Sequence, residues 1–446
     1  MNVLIPSPKP VAVVGGGIAG LSAARRLREH GVPVVLFEGS DRVAGLARSF
    51  QDESGFTFDF GAHFITNRLA KCVGIEKECR DVKYYGESVL VHGKLYPYPF
   101  GLVGNPRYLS SAFLSRARGL FEREPAESAA DWFAQTYGSA MADEIAIPLV
   151  EAWSGTAASD LAPSVGDKLG ASSIAKVLWL RAAGRLQNKA IANGYCSELP
   201  ESAQVWHVYP EKGVARVCEK LAEEMTEVIQ LNSKVESIQV RDEQVRSVVV
   251  NGREIEVSTV ISTAPINLLP RLVQGTDSLT DLAEFRFKPM VLVNVMLEGR
   301  HLLPNTVLWL PEKKFPFFRL TEAPWSMPWL APEGKTIITC DIGADVGDEI
   351  WTRTDEELGE FCLDHLEEII PGVRQRYLGV RALRTPIAYP IFLRKYEERR
   401  LSVTQDTGIA GLHSVGRNGG FDHLPMEDAY HRTLRRVDRL TAALSA

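Results

Sequence analysis

Four apolar residues, VAVV at 11–14, stop at a run of glycines. An amphipathic stretch, IAGLSAARRLREHG, follows, and then a second apolar run, VPVVLFE. Short β-branched runs of this kind predict buried parallel strands, and the 3.6-residue period between them predicts a helix. Further along, residues 225–265 alternate apolar and polar positions and are broken by RDEQ and NGRE, the pattern of a β-meander. The chain closes on an apolar run, GLHSVG, a glycine-rich GRNGGF and an amphipathic MEDAYHRTLRRVDRL, which predict one more strand, a tight passage and a last helix. Two long segments between these elements mix apolar, charged and aromatic residues without a dominant period. With 446 residues the chain exceeds one ordinary core, so two domains are expected.

The first turn carries specific chemistry. Gly15, Gly17 and Gly20 stand in GxGxxG register between the first strand and the first helix. Gly15 permits the sharp turn, Gly17 lets a pyrophosphate approach the backbone, and Gly20 lets the helix pack on the strand. The helix N-terminus offers free N–H groups and a positive dipole end to phosphate. Glu38 ends the second strand about 20 residues past the glycines, where a carboxylate accepts hydrogen bonds from a ribose. No basic residue stands beside it to favour a 2′-phosphate. A dinucleotide is the expected ligand.

Charge and cysteine content narrow the picture. Fifty basic and 56 acidic residues give a net charge of −6, which argues against nucleic acid as a partner. Six scattered cysteines form no CxxC pair, so neither a zinc site nor a disulfide framework is expected, and a reducing cytoplasm fits. The start, MNVLIPSPKP, reads as no signal peptide. No stretch approaches the ~18 apolar residues of a membrane span. There is no Ser-His-Asp arrangement and no HExxH, so neither a hydrolase nor a metal site is supported.

The residues after Glu38 separate NAD from FAD. EGSDRVAGLARSF, followed by GFTFDFGAHFIT, resembles the glutathione-reductase-type FAD fold, in the branch holding amine oxidases, protoporphyrinogen oxidases and UDP-galactopyranose mutases. Arg42 and Gly45 match that branch's diphosphate-wrapping segment, Ala44 replaces the usual first glycine of its pair, and Arg48 supplies a further positive charge. The resemblance implies an α/β fold: a Rossmann-like FAD-binding domain of parallel sheet plus β-meander, with an interleaved α+β substrate domain. It assigns 1–80, 201–265 and 401–446 to the FAD-binding domain, and 81–200 and 266–400 to the substrate domain. It also implies non-covalent FAD, an adenine contact through the backbone of Val235, and a C-terminal return in which Gly416, Arg417 and Met426 face the flavin.

Further local motifs, most of them in the second domain, are closest to UDP-galactopyranose mutases. FGAHFITN places His63 near the flavin, and HGKLYPYPF resembles the family's hairpin and contains Tyr96. EAWSGTAASDL puts Trp153 beside a nucleotide pocket, and FPFFRLTEAP and AYP give Arg319 and Tyr389 as diphosphate holders. His423 stands where that family has a diphosphate-binding tyrosine. The implied catalytic set is His63, Arg319 and Tyr389. The implied substrate set is Tyr96, Trp153, Arg319, Tyr389 and His423, acting on an anionic or nucleotide-linked small molecule. Three activities follow: an FAD-dependent oxidoreductase passing hydride from a small polar substrate to flavin N5, a redox-neutral sugar mutase using reduced FAD, and a scaffold that holds FAD without turnover.

Overall fold

The computed structural model describes residues 9–61, 64–98, 100–118, 125–167 and 174–444. A five-stranded parallel sheet lies at the base of the molecule. Its spatial order is Ile229–Gln230, Val34–Phe37, Val11–Val14, Thr259–Ser262, Leu412–Ser414. The chain leaves Val11–Val14 toward one edge and returns from the other, so the strand order reverses at the end of that strand. Ligands of open α/β sheets bind in such a crevice. The helix Ile18–Glu29 covers one face, wedged between Ala215–Glu223 and the C-terminal helix Met426–Leu444. Leu21, Leu27, Leu36 and Ile261 are fully buried in this layer.

The meander forms as its alternation requires. Val235–Arg241, Gln244–Val250 and Arg253–Glu256 pair antiparallel. Their two-residue turns, Asp242-Glu243 and Asn251-Gly252, all have φ between 49° and 71°. These are the left-handed turns that match strand twist.

The second domain is built on a seven-stranded sheet. Its order is Tyr377–Pro390, Phe287–Glu298, Lys335–Gly343, Arg319–Thr321, Val307–Trp309, Glu87–Val91, Lys94–Pro97. The helix Asp355–Leu366 covers one face, started by a capping box between Thr354 and Glu357. The helices Pro106–Arg118, Ala129–Tyr137 and Ile147–Ser154 come from the earlier part of the chain. Strands of the two sheets thus alternate along the sequence, and the fold is a Rossmann-like α/β domain with an interleaved α+β domain.

The C-terminal passage differs in detail from an open glycine loop. Gly416–Gly419 forms a single helical turn. A Cβ on Gly419 would stand 2.9 Å from the Ser262 carbonyl oxygen, so that glycine seats the turn on the parallel sheet.

Candidate functional site

The dinucleotide cradle assembles at the strand crossover. Gly15 has φ +101°, and a Cβ there would collide with the Thr263 hydroxyl. Gly17 is the N-cap of the first helix, and no side chain caps it. The first turn holds no acidic residue, and space is open where a Gly17 Cβ would be. The first N–H groups of a helix have no partner within it, so this end is free to receive an anion. The Glu38 carboxylate accepts from the Gly16 N–H at 2.6 Å, and from the Ser40 N–H at 2.9 Å and hydroxyl at 2.6 Å. A carboxylate has about four acceptor positions, so capacity remains for a ribose hydroxyl.

The segment after Glu38 folds back over the turn. The Ala44 N–H donates to the Gly16 carbonyl at 2.9 Å, and Gly45 passes over Gly17. Ala44 sits at φ +91°, a left-handed conformation that a glycine would adopt without strain. Arg48 reaches Ser40 and the Arg42 carbonyl, and its buried Nε has no partner. Arg42 is exposed, with its guanidinium 5.6 Å from the Phe50 ring centre. On the other side, the Ser233 N–H donates to the Glu38 carbonyl at 2.8 Å, which brings Val235 to the same strand end. An uncapped helix end, an orphaned buried guanidinium N–H and a carboxylate with spare capacity fit a diphosphate flanked by a ribose. The residues present therefore fit FAD.

The C-terminal return ties this cradle to the second domain. Gly416 has φ +81°, and a Cβ on it would lie 2.6 Å from Cβ of Ala19 in the first helix. One residue on, the Arg417 guanidinium lies 5.5 Å from the Tyr389 ring centre and donates to the Ala388 carbonyl at 2.8 Å. Burial lowers the pKa of Arg417, and the neighbouring Tyr389 and Asp422 oppose that shift. The Tyr389 ring is 5.3 Å from Trp153 and 5.3 Å from His423. Trp153, Tyr389, Arg417 and His423 come from three distant parts of the chain and form one cluster. Asn418, beside Arg417, has a buried side-chain oxygen without a partner.

Arg319 lies within electrostatic reach of Tyr389 and Tyr85, and its guanidinium is 5.4 Å from the Trp309 ring centre. It forms an ion pair with Asp341, directly opposite on the neighbouring strand. Asp341 is 1% exposed and the Arg319 side chain 14%. Burial is the largest single effect and lowers the arginine's pKa, but Asp341, with Tyr389 and Tyr85 beside it, together outweigh burial and raise the pKa. For Asp341 burial is the larger effect, and it keeps the carboxyl above its usual range despite Arg319. Sequence reasoning missed Asp341, although a lone acid in the apolar strand KTIITCDIG is the signature of a buried pair. It also missed Glu87, which accepts from the Tyr85 hydroxyl and, at 2.8 Å, from the Trp309 indole N–H.

The remaining expected residues are placed as follows. Tyr96 packs against Tyr108 in a satellite cluster with Val89 and Ile145, apart from Trp153 and Tyr389. Met426 opens the last helix and is half-buried. The next residue, Glu427, takes bonds from Thr66 at 2.8 Å and Arg68 at 2.6 Å. His63 lies outside the described residues. Among the described residues no group of His, Cys, Asp and Glu is arranged to hold a metal, and no helix is long and apolar enough to cross a membrane.

Residues 18–441 match the family model of the flavin-containing amine oxidoreductases. The chain belongs to this family. Its cofactor is FAD, in keeping with the cradle. Flavin-containing amine oxidase A of Canis lupus familiaris is 27% identical over 296 residues, 59% of this chain and 50% of that protein. A flavin-containing amine oxidase of Oncorhynchus mykiss is 39% identical over 93 residues, 20% of this chain and 18% of that one. The chain thus spans half or less of the length of these curated relatives. Among solved structures, a reduced UDP-galactopyranose mutase superposes with a TM-score of 0.80 at 19% identity, covering 98% of this chain and 95% of that one. A cyclohexylamine oxidase from Brevibacterium oxydans gives 0.70 at 15%, covering 98% and 100%. At these identities the structures establish the fold.

Proposed function

We propose that this chain is an FAD-dependent oxidoreductase that removes a hydride from a small polar substrate held against Trp153, Tyr389 and His423. The observation that carries this reading is the shared loop: Gly416 seats on the first helix of the cradle, and Arg417 lies over Tyr389. Cofactor and substrate groups are thereby fixed to one rigid turn. When bound, FAD supplies the two-electron acceptor for a hydride leaving a substrate C–H. Trp153 and Tyr389 offer flat apolar walls, and His423 offers a ring nitrogen to a polar substrate group. Arg417, half-buried and positive, places charge where an electron-rich group is stabilised. Glu38 and Arg48 hold the nucleotide end, and Gly17 leaves the approach open.

The mutase alternative asks Arg319 to grip a diphosphate. Arg319 is already paired with the buried Asp341, which leaves it less charge to offer a diphosphate and favours oxidation over sugar isomerisation. A small molecule is the partner on this reading, and six free cysteines suit the cytoplasm. The test is anaerobic addition of a panel of amines and alcohols to the FAD-loaded protein, followed by admission of air. A substrate should bleach the flavin band unaided, and air should restore it. If no compound bleaches it, while the dithionite-reduced protein interconverts UDP-galactopyranose and UDP-galactofuranose without consuming oxygen, the mutase reading replaces this one.

A further inference from the structure

A cleft of about 370 Å³ opens beside the Trp153–Tyr389 cluster. That volume lies in the ~300–1,000 Å³ range of small-molecule sites. Ser154 and Gly155 follow Trp153 into its wall, and Ile387 and Ile391 line it on either side of Tyr389. Lys288 stands directly across the sheet from Tyr389. The fold makes room for this lysine. Gly155 ends the helix Ile147–Ser154 at φ +66°, and a Cβ on it would lie 3.0 Å from the Lys288 Nζ. A Cβ on Gly343 would lie 3.4 Å from the Lys288 Cε. Arg286 stands exposed at the rim, and the buried side-chain oxygen of Asn267 has no partner.

One carboxylate lines the cleft. Asp345 pairs with Lys288 at 3.0 Å, but its side chain is 78% exposed. Water screens such a carboxylate and lets it swing aside. The lining therefore holds two cations, one displaceable anion, an unpaired acceptor and apolar walls. We propose that this cleft binds an oxyanion, carboxylate or phosphate, on a partly apolar molecule that also offers an O–H or N–H to Asn267. Lys288 holds the oxyanion, with Arg286 steering it from the rim. Its role as the place where a substrate's anionic tail rests depends on the oxidoreductase reading above; the binding itself does not.

The test is calorimetric titration of the FAD-loaded full chain with phenylacetate and phenyl phosphate, and with neutral phenylacetamide as control. At least one anion should bind one-to-one at millimolar concentration or below, and the amide should bind more weakly by about tenfold or more. Lys288→Met keeps the buried stem and should weaken the anion by about tenfold or more. Arg286→Gln, at an exposed site, should weaken it by about two- to fivefold. Asp345→Asn removes the competing carboxylate and should tighten it. Equal affinity for the amide, no binding of either anion, or wild-type affinity in both Lys288→Met and Arg286→Gln overturns the proposal. Anion binding by a protein that never bleaches with any substrate would instead leave the site standing and remove the oxidoreductase reading.

Discussion

Asp341→Asn is the perturbation that most sharply separates a structural Arg319 from one free to bind substrate. The carboxamide keeps the shape of the carboxylate and removes its charge. Arg319 is then left as a buried cation, because the phenol of its neighbour Tyr85 is pushed well above its ordinary pKa by burial and stays neutral. Removing one partner of a buried pair costs about 3–5 kcal/mol. Domains of about 150–250 residues lose roughly 2–4 °C of Tm per kcal/mol, and the value falls with length, so about 1–2 °C per kcal/mol suits this chain. A fall of roughly 3–10 °C is expected in FAD-loaded protein followed by scanning calorimetry. Arg319→Met should cost less at low pH than at high pH. Its Asp341, raised by burial and no longer opposed, is protonated in the fold below its raised pKa, and that relief is lost as pH rises through it. The double variant Arg319→Met/Asp341→Leu should recover most of the loss. If Asp341→Asn melts with the wild type and the two single changes are additive, Arg319 is not held by Asp341, and the case against diphosphate binding collapses.

Other residues give independent tests. Glu38→Ala should weaken FAD by roughly ten- to a hundredfold, about 1–3 kcal/mol, in a titration of apo-protein; unchanged affinity would remove Glu38 from the cradle. Ala44→Gly should stabilise by up to ~1 kcal/mol in urea, because it relieves a positive φ, and a loss of stability would show that the Ala44 methyl's packing outweighs the strain. His207 is buried among Phe64, Tyr85 and Tyr195, and burial pulls its pKa from 6.5 down to about 4. The fold thus disfavours its protonation. Its share of stability is complete above pH 6.5 and declines as pH falls toward 4, by about 3 kcal/mol. His207→Phe should flatten that stretch of the stability–pH curve, and an unaltered slope would contradict the assignment.

Much of the cradle is legible in the chain because it is local. Gly15, Gly17, Gly20 and Glu38 fall within one strand–helix–strand unit, where spacing alone fixes geometry. The C-terminal return was readable for a related reason: Gly416 and Gly419 are demanded by close approaches, to the Ala19 side chain and to the Ser262 carbonyl. The cluster of Trp153, Tyr389, Arg417 and His423 carries no local signal. Those residues came from family likeness, and only folding brings the Trp153 and His423 rings and the Arg417 guanidinium within 5.3–5.5 Å of the Tyr389 ring. Asp341 and Lys288 were not read, because a charge in an apolar strand reveals its burial but not its partner. Arg319 shows the consequence: Glu322, three residues along the chain, turns to the Leu303 N–H and the Thr336 hydroxyl, and the cross-strand register delivers Asp341 instead.

The claim on which everything else rests is that the crossover crevice holds FAD without a covalent link. Heat-denaturing the purified protein, removing the precipitate and identifying the released cofactor by chromatography and absorbance tests it most directly. The account expects about one free FAD per chain in the supernatant. Release of NAD, absence of any dinucleotide, or flavin that stays with the precipitated polypeptide would contradict it.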